Sequence, residues 1–281
     1  EIEVCAGLLV RKALVALTHE VTRFPEFRTP TVHFHGSANI AFLCSVFLCQ
    51  YVAAALQAET NFMNIPHDSR NFFLPGPAGQ LEAILWTPPA GHVSGFAAVV
   101  CHPHPLFSGT MHNKVVYQAA KSLSALGMPV LRFNFRGAGL SAGHHDRGSG
   151  ERGDVRAALD FLHEEFPEAE LLVAGFSFGS WVGLRVGCED GRVARLIGLG
   201  VPVNSSDFSF LRECAKPKLF VHGEHDEHGA LSKVRELFAT LPGENLLVDV
   251  PGADHFFAGK LDQVDRAIAG WMAPVVAEER L

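Results

Sequence analysis

Residues 171–179 read LLVAGFSFG, an apolar run followed by the pattern G-x-S-x-G with Ser177 at its centre. The apolar run predicts a buried strand, and Phe178–Val186 predicts a helix directly after it. A sharp strand-to-helix turn raises the serine hydroxyl above the end of the strand, and the flanking glycines prevent clashes there. Ser177 also stands at a helix amino terminus, where backbone N–H groups favour developing negative charge. The pattern therefore predicts that Ser177 is a nucleophile.

Apolar runs and helical patterns alternate on both sides of this turn from Asn64 onward, which predicts an α/β fold with a doubly wound parallel sheet. The predicted strands are Leu81–Trp86, Phe96–Cys101, Val130–Phe135, Leu171–Ala174, Leu196–Leu199, Lys218–His222 and Leu246–Val250. The predicted helices are Lys114–Leu126, Asp154–Glu165 with Asp154 as its cap, Phe178–Val186 and Leu261–Met272. Sheets of this kind bind their ligands at the carboxyl ends of the strands.

A serine hydroxyl is a weak nucleophile unless a base removes its proton, so a histidine is expected near Ser177. His255 lies in residues 252–257, GADHFF, directly after the apolar run LLVDV that predicts a strand. A loop at that position reaches the end of the sheet where the serine is expected. We therefore predict that His255 is the base, and a solvated loop histidine is the alternative interpretation.

The acid that orients the histidine is expected between the serine and the histidine in sequence, after the penultimate strand. Asp226 lies there, at the end of the stretch FVHGEHD. Three other carboxylates compete for the role. Glu224 lies too close to the strand end, Asp249 lies within a strand, and Asp254 adjoins the histidine that it would support. We therefore predict that Asp226 is the acid.

The composition is that of a folded globular protein. Of 281 residues, 48% are hydrophobic and 19% are charged, which excludes a disordered chain. The net charge of −7, without any block of like charges, argues against nucleic acid as a partner. We interpret the cysteines as free thiols in a reducing compartment, with Cys101 and Cys188 in the core. The six cysteines are Cys5, Cys44, Cys49, Cys101, Cys188 and Cys214.

The first 62 residues differ from the rest, because residues 36–58 carry no charge at all. Three interpretations of this segment stay open. The apolar run has the length of a membrane helix, about 20 residues, and would then be an anchor. Leu56-Gln57-Ala58 resembles the cleavage site of a signal peptide. A non-native extension, with translation beginning at Met63, is the third interpretation. We expect residues 63–281 to form the domain that carries Ser177, in the cytoplasm, or at a membrane if the apolar run is an anchor.

Residues 102–114, HPHPLFSGTMHNK, follow a predicted strand directly. This segment resembles the H-P-H-P-x-x-G-G-T-M-x-N-K segment of small lidless serine hydrolases related to dienelactone hydrolase, a branch of the α/β-hydrolase superfamily. The resemblance spans about Phe72 to Met272 and includes residues 134–141, NFRGAGLS. The chain departs from the family at Ser108, where a glycine is usual, and at His112, where an acid is common. The resemblance implies an α/β-hydrolase sheet, doubly wound and mostly parallel, without a large cap domain.

Acyl transfer by a serine needs two backbone N–H donors that stabilise the oxyanion, one of them on the residue after the nucleophile. That residue is Phe178. The resemblance places the second donor in residues 102–114. It implies Leu106 as that donor, with Phe107 as the alternative.

Two other patterns suggest bound groups, and we expect neither a metal nor a cofactor. The histidine-rich candidates for a metal site are His102 with His104, and His222, His225, Asp226 and His228. Prolines flank the first pair, and the triad requires the aspartate of the second group. Residues 137–142 fit the dinucleotide pattern G-x-G-x-x-G/A, but the glycine-rich residues that follow favour a loop over a helix.

Only Pro202–Lys216 separates two predicted strands at the place where many lipases carry a helical cap. We therefore expect an open site whose partner is a small acyl substrate. The predicted reaction is cleavage of an ester, lactone or thioester through an acyl-enzyme intermediate. Peptidase or acyltransferase chemistry on the same triad is one alternative, and a non-catalytic binding protein of the same fold is another.

Overall fold

The computed structural model describes residues 68–89 and 94–278. The strands in that part of the chain are β1 (Asp68–Gly76), β2 (Gly79–Thr87), β3 (Phe96–Cys101), β4 (Val130–Phe133), β5 (Glu170–Phe176), β6 (Val193–Leu199), β7 (Lys218–Gly223) and β8 (Asn245–Val250). The helices are α1 (Lys114–Ala125), α2 (Ser149–Glu165), α3 (Phe178–Glu189), α4 (Leu231–Phe238) and α5 (Leu261–Glu278), and two short 3-10 helices cover Pro105–Phe107 and Ser209–Glu213.

The strands form one sheet in the order β1-β2-β4-β3-β5-β6-β7-β8. Strand β2 is antiparallel to β1 and to β4, and the other neighbouring pairs are parallel. The predicted α/β-hydrolase sheet, doubly wound and mostly parallel, is confirmed. The chain runs outward in one direction from β3 to β4 and in the other from β5 to β8. The carboxyl ends of β3 and β5 therefore flank the switch point at which such sheets bind ligands.

Both faces of the sheet are buried, as a parallel sheet covered by helices requires. Along β3, Ala97, Val99 and Cys101 pack into one core cluster, which also includes side chains of α2 and α3. The alternate residues Phe96, Ala98 and Val100 pack into the other, with side chains of α1 and α5. Successive side chains of a strand point to opposite faces, so one apolar strand supplies both clusters. The prediction that Cys101 is a core residue is confirmed, and Cys188 is partly buried against the core.

The predicted start of α2 is wrong. Helix α2 begins at Ser149, so Asp154 lies inside the helix and does not cap it. The carboxylate of Glu151 caps the helix instead, because it accepts hydrogen bonds from the N–H groups of Gly148 and Asp146, both at 2.8 Å. The buried Asp154 carboxylate binds the guanidinium of Arg136 and so anchors the loop after β4.

The connection from β6 to β7 contains only the 3-10 helix Ser209–Glu213, and no cap domain is inserted elsewhere in residues 94–278. The expected absence of a large cap is consistent with this short connection. Among the described residues, no helix is long and apolar enough to cross a membrane. The segment of residues 1–62, with its apolar run 36–58, lies outside the described residues, and the interpretations of it stay predictions.

Candidate active site

Ser177 lies between β5 and α3 in a strained backbone conformation, with φ 55° and ψ −122°. A non-glycine residue rarely adopts a positive φ, and such strain is concentrated at functional sites. The turn is too tight for side chains beside it. A Cβ on Gly175 would lie 2.3 Å from the carbonyl oxygen of Gly179, and one on Gly179 would lie 2.4 Å from that of His102. The two glycines of the pattern are thus required by contact with backbone atoms.

The three predicted triad residues lie in one chain of hydrogen-bonding contacts. Nε2 of His255 is 2.9 Å from Oγ of Ser177, and Nδ1 of His255 is 2.8 Å from Oδ2 of Asp226. Asp226 and His255 are only 5% and 2% exposed, so water competes little for these contacts. The loops after β7 and β8 carry the acid and the base to the carboxyl edge of the sheet, beside the serine at the end of β5. This arrangement matches a nucleophile, a base and an acid.

The carboxylate of Asp226 is held by four groups. Its Oδ1 accepts hydrogen bonds from the N–H groups of His228 and Gly229, at 2.8 and 3.1 Å. Its Oδ2 faces His255 and lies 3.6 Å from Nε2 of His222. Burial alone would raise the pKa of Asp226, but the hydrogen bond to His255 and the charges of both histidines outweigh it and lower the pKa. The carboxylate is therefore ionised at neutral pH, as the acid of a triad must be.

The three competing carboxylates all have other partners. Glu224 accepts a hydrogen bond from the N–H of Gly252 at 2.7 Å, and Asp249 binds the guanidinium of Arg235. Asp254 accepts from two N–H groups of its own loop, those of Phe256 and Ala258. These contacts stabilise the loops and the strand around the site. Among the four, Asp226 is the carboxylate in contact with the histidine.

Ser177 opens into a pocket of about 380 Å³. Its lining is mainly apolar or aromatic and includes the small polar side chains of Ser205 and Ser206. The rim carries two large exposed side chains, Phe107 at 81% and Phe256 at 51% exposure. Exposed aromatic side chains beside a nucleophile provide a surface for the apolar part of a ligand. The remaining lining residues are Pro103, His104, Ser108, Gly109, Asn113, Phe178, Pro202, His228 and His255.

His102, directly after β3, is fully buried and has a structural role. Its Nδ1 is 2.6 Å from the carbonyl oxygen of Pro103, and its Nε2 accepts the N–H of Phe135 at 2.9 Å. Burial lowers the pKa of His102 to about 3, although the Pro103 carbonyl acts in the opposite direction. The imidazole is therefore neutral and joins the end of β3 to the loop after β4. No group of three or more potential metal ligands is assembled in the described part of the chain.

The predicted oxyanion donors differ in availability. The N–H of Phe178, at the start of α3, makes no hydrogen bond within residues 68–89 and 94–278. The N–H of Leu106 donates to Nδ1 of His104 at 3.2 Å, and that of Phe107 donates to the carbonyl oxygen of His104 at 3.1 Å. Both N–H groups predicted for the second position are thus already bonded inside their own loop. The assignment to Leu106 stays a prediction. It requires the N–H of Leu106 to leave the ring of His104 and to donate to the oxyanion instead.

Sequence reasoning missed the side chains that surround the triad. The buried His222 lies 3.6 Å from the Asp226 carboxylate, and its Nε2–H donates to the carbonyl oxygen of Gly229, 2.6 Å away. The ring of His228 packs edge-on against the ring of His255, with centroids 4.4 Å apart, and lines the pocket. The sequence does contain several histidines close to Asp226, but that pattern suggested a metal site. It did not suggest side chains that position Asp226 and His255.

Known proteins resemble this chain over most of the described residues. The α/β-hydrolase domain family matches residues 108–269. An uncharacterised protein of Rickettsia prowazekii (strain Madrid E) is 37% identical over 211 residues, 71% of this chain and 87% of that protein. The structure of a lidless α/β serine hydrolase from Xanthomonas campestris is 36% identical, has a TM-score of 0.70, and covers 75% of this chain and 96% of its own. An α/β serine hydrolase homologue from Coxiella burnetii is 36% identical, with a TM-score of 0.68, over 72% of this chain and 97% of its own.

The chain belongs to the α/β-hydrolase family. Three observations support this family: the order of the strands in the sheet, the strained turn at Ser177, and the match of residues 108–269 to the family's domain. Within the family it is similar to the serine hydrolases that have no lid, which agrees with the short connection from β6 to β7.

Proposed function

We propose that this protein is a serine hydrolase that cleaves an ester, lactone or thioester of a small acyl substrate. The observation that carries the proposal is the hydrogen-bond chain from Ser177 through His255 to the ionised Asp226. The apolar pocket beside Ser177 supports an acyl group as the ligand. The pocket lies at the carboxyl ends of the strands, and the described residues form no cap domain over it, which supports a small or extended substrate.

The proposed reaction is a double displacement. Nε2 of His255 removes the proton from Oγ of Ser177 as the oxygen attacks the acyl carbon. The protonated imidazole, stabilised by Asp226, then gives that proton to the leaving group, which departs and leaves an acyl-serine ester. Water attacks the acyl-serine with His255 again as the base, and the acid product is released. Ser177, His255, the substrate and water supply every bond and every proton of this cycle, so the proposed reaction requires no cofactor.

The oxyanion formed in each step needs two donors, and Phe178 supplies one. We propose the backbone N–H of His104 as a second candidate beside Leu106. The His104 N–H makes no hydrogen bond within the described residues, whereas the Leu106 N–H donates to the His104 ring. The rings of His104 and Phe178 are in contact, with centroids 4.9 Å apart, and both residues line the pocket with Ser177.

Labelling with a fluorophosphonate tests the proposal directly, because such a probe reacts with activated serines. The purified full chain should be labelled at Ser177, and Ser177→Ala should abolish labelling and lower kcat/KM for a short-chain ester by about three orders of magnitude or more. Ser206→Ala is the matched control, since Ser206 lines the same pocket and is outside the triad. Undiminished ester hydrolysis by Ser177→Ala would refute the proposal.

A substrate panel separates the alternatives on the same triad. Esters of graded chain length, matching thioesters and matching anilides would be compared by kcat/KM, with and without an added alcohol as acyl acceptor. Preference for the anilide would indicate a peptidase, and transfer to the alcohol in excess of hydrolysis would indicate an acyltransferase. A folded protein that neither reacts with the probe nor turns over any member of the panel would be a binding protein.

A further inference from the structure

Both ring nitrogens of the buried His102 are bound by backbone groups. Its Nδ1 lies 2.6 Å from the carbonyl oxygen of Pro103, and because that oxygen can only accept a hydrogen bond, Nδ1 carries the proton and donates. Its Nε2 accepts the N–H of Phe135 at 2.9 Å. The two partners therefore select one neutral tautomer of the ring. His102 does not line the pocket that contains Ser177, so it acts on that pocket only through the backbone that it binds.

The carbonyl group that His102 binds belongs to the peptide unit that carries the N–H of His104. The peptide bond between Pro103 and His104 is trans, and in a trans peptide the C=O and N–H bonds point in opposite directions. The hydrogen bond to the Pro103 oxygen therefore turns the His104 N–H away from the ring of His102. That N–H makes no hydrogen bond within residues 68–89 and 94–278, and His104 lines the pocket. It is thus available as a donor there.

Two prolines restrict rotation on either side of this peptide. The ring of Pro103 fixes its own φ, and Pro105 keeps the residue before it in the extended region, where His104 lies with φ −56° and ψ 122°. Gly109 lies close on the carbonyl side, since a Cβ there would be 2.2 Å from the Pro103 oxygen. The H-P-H-P segment therefore has little freedom to flip the peptide, and His102 supplies the hydrogen bond that anchors it.

Other N–H groups of the same loop already have acceptors. The N–H of Leu106 donates to the ring of His104 at 3.2 Å, and those of Phe107 and Gly109 donate to the His104 carbonyl oxygen, both at 3.1 Å. An effective oxyanion donor is oriented before the charge develops and does not have to leave another acceptor. The His104 N–H meets this condition, and the Leu106 N–H does not.

We propose that His102 is a positioning residue of the oxyanion hole, which fixes the N–H of His104 as the donor beside that of Phe178. This inference rests on the proposed hydrolase function. When the acyl carbon becomes tetrahedral, its oxygen gains negative charge and accepts from an N–H that needs no reorientation. Because this hydrogen bond reaches its full strength only in the transition state, its loss lowers kcat and leaves KM almost unchanged.

Two variants of His102 separate its two hydrogen bonds. His102→Asn places an amide nitrogen near the position of Nδ1, so it keeps the donor to the Pro103 carbonyl and loses the acceptor for the N–H of Phe135. His102→Gln keeps that acceptor and loses the donor. Each variant loses one buried hydrogen bond, so both should melt at a lower temperature than the wild-type protein. Only His102→Gln should lower kcat for a short-chain ester, by about 10²-fold at an unchanged KM, which is the loss expected when one oxyanion donor is removed.

A tetrahedral analogue measures the same interaction at equilibrium. A trifluoromethyl ketone with the acyl chain of the ester would add to Ser177 and form an oxyanion. Its inhibition constant should rise by about 10²-fold in His102→Gln and stay near the wild-type value in His102→Asn. The corresponding secondary alcohol forms no adduct and is the ground-state control. It should bind the wild-type protein and both variants equally.

The wild-type protein provides a test that does not depend on how well a variant folds. In protein labelled with ¹⁵N-histidine and ¹⁵N-leucine, the amide proton of His104 should move downfield when the trifluoromethyl ketone adduct forms, and that of Leu106 should move less. A larger shift at Leu106 would overturn the inference, and so would an unchanged kcat in folded His102→Gln. A wild-type protein that neither hydrolyses esters nor forms the adduct would refute the proposed function, and the inference with it.

Discussion

The strained turn at Ser177 explains why this serine is flanked by glycines and why its hydroxyl faces the pocket. A non-glycine residue with a positive φ of this kind costs about 1–3 kcal/mol, which neighbouring contacts must offset. The N–H of Ser177 donates to the carbonyl oxygen of Leu199 at 3.0 Å, and its carbonyl oxygen accepts from the hydroxyl of Ser180 at 2.6 Å. These bonds hold the turn from both sides and fix the hydroxyl within reach of His255.

Replacement of the acid tests the role of Asp226. In Asp226→Asn, the amide oxygen can still accept the N–H groups of His228 and Gly229, so the fold should be retained. The amide group facing Nδ1 of His255 then favours the wrong tautomer, and kcat for an ester should fall by about three to four orders of magnitude. Asp254→Asn is the matched control and should cost much less. A larger loss in the control than in Asp226→Asn would transfer the acid role to Asp254.

A second strained residue, Ser108, ends the 3-10 helix of the oxyanion loop with φ 61° and ψ 21°. Glycine adopts this conformation without a steric penalty, which explains why a glycine is usual here in the related hydrolases. Ser108→Gly should therefore raise the free energy of unfolding by about 0.5–1 kcal/mol, measured by urea denaturation. The control Ser206→Gly, at a residue outside the left-handed region, should lower it. A destabilised Ser108→Gly would mean that the serine side chain stabilises the loop.

At the level of elements, His102 couples the end of β3 to the loop after β4. Its pKa is about 3 in the folded protein against an ordinary value of 6.5. As the pH falls below about 6.5, the unfolded chain therefore binds a proton at His102 that the folded chain refuses. This difference should lower the free energy of unfolding by about 1.4 kcal/mol per pH unit until the pH approaches 3.

The variant His102→Gln isolates that contribution, because an amide oxygen can replace Nε2 as the acceptor for the N–H of Phe135. Urea denaturation between pH 7.5 and 5 should show that the free energy of unfolding falls less steeply with falling pH in this variant than in the wild-type protein. The difference in slope should correspond to about one proton fewer taken up on unfolding. His144→Gln, at an exposed position, is the matched control and should keep the wild-type slope. Equal slopes for His102→Gln and the wild-type protein would contradict a neutral, buried His102.

The elements that the sequence predicts well are those whose pattern is decided locally. Strands β2 to β7 were predicted because their apolar runs are largely buried, and β8 was predicted because it contains the apolar run LLVDV, although most of that run is only partly buried. Strand β1, DSRNFFLPG, was missed because most of its side chains are exposed, as expected of an edge strand, and it contains a proline. Helix α4 was missed because it has only eight residues and no side-chain cap. The start of α2 was missed because Gly150 and Gly153 argue against a helix, and only contacts distant in sequence override them.

The candidate site likewise has features that the sequence predicts and features that it does not. The contacts among Ser177, Asp226 and His255 were predicted because the serine turn is local and the order of the three residues follows the order of the strands. The contacts of His222 and His228 depend on how the loops after β7 and β8 fold over each other, which the spacing of residues does not specify. The oxyanion loop was located by resemblance, but the hydrogen bonds of its N–H groups depend on the His104 rotamer. Sequence therefore predicts the reacting groups better than the groups that position them.

At the scale of the whole molecule, the described residues build two core clusters, one on each face of the sheet. Every core side chain in the described part lies between Leu74 and Val276, and helices cover both faces of the sheet. All residues of the candidate site follow residue 100. The domain that performs the proposed reaction should accordingly be contained in residues 63–281, as the sequence predicts.

A chain that begins at Met63 tests this boundary. It should remain in solution after high-speed centrifugation without detergent, melt in one cooperative transition, and hydrolyse a short-chain ester with the kcat/KM of the full chain. The physical reason is that a sheet already packed on both faces offers no buried position to an additional apolar helix of 23 residues. The full chain, prepared in parallel, is the control. If the shortened chain aggregates while the full chain stays monomeric without detergent, residues 1–62 contribute to the core, and neither an anchor nor a non-native extension describes them.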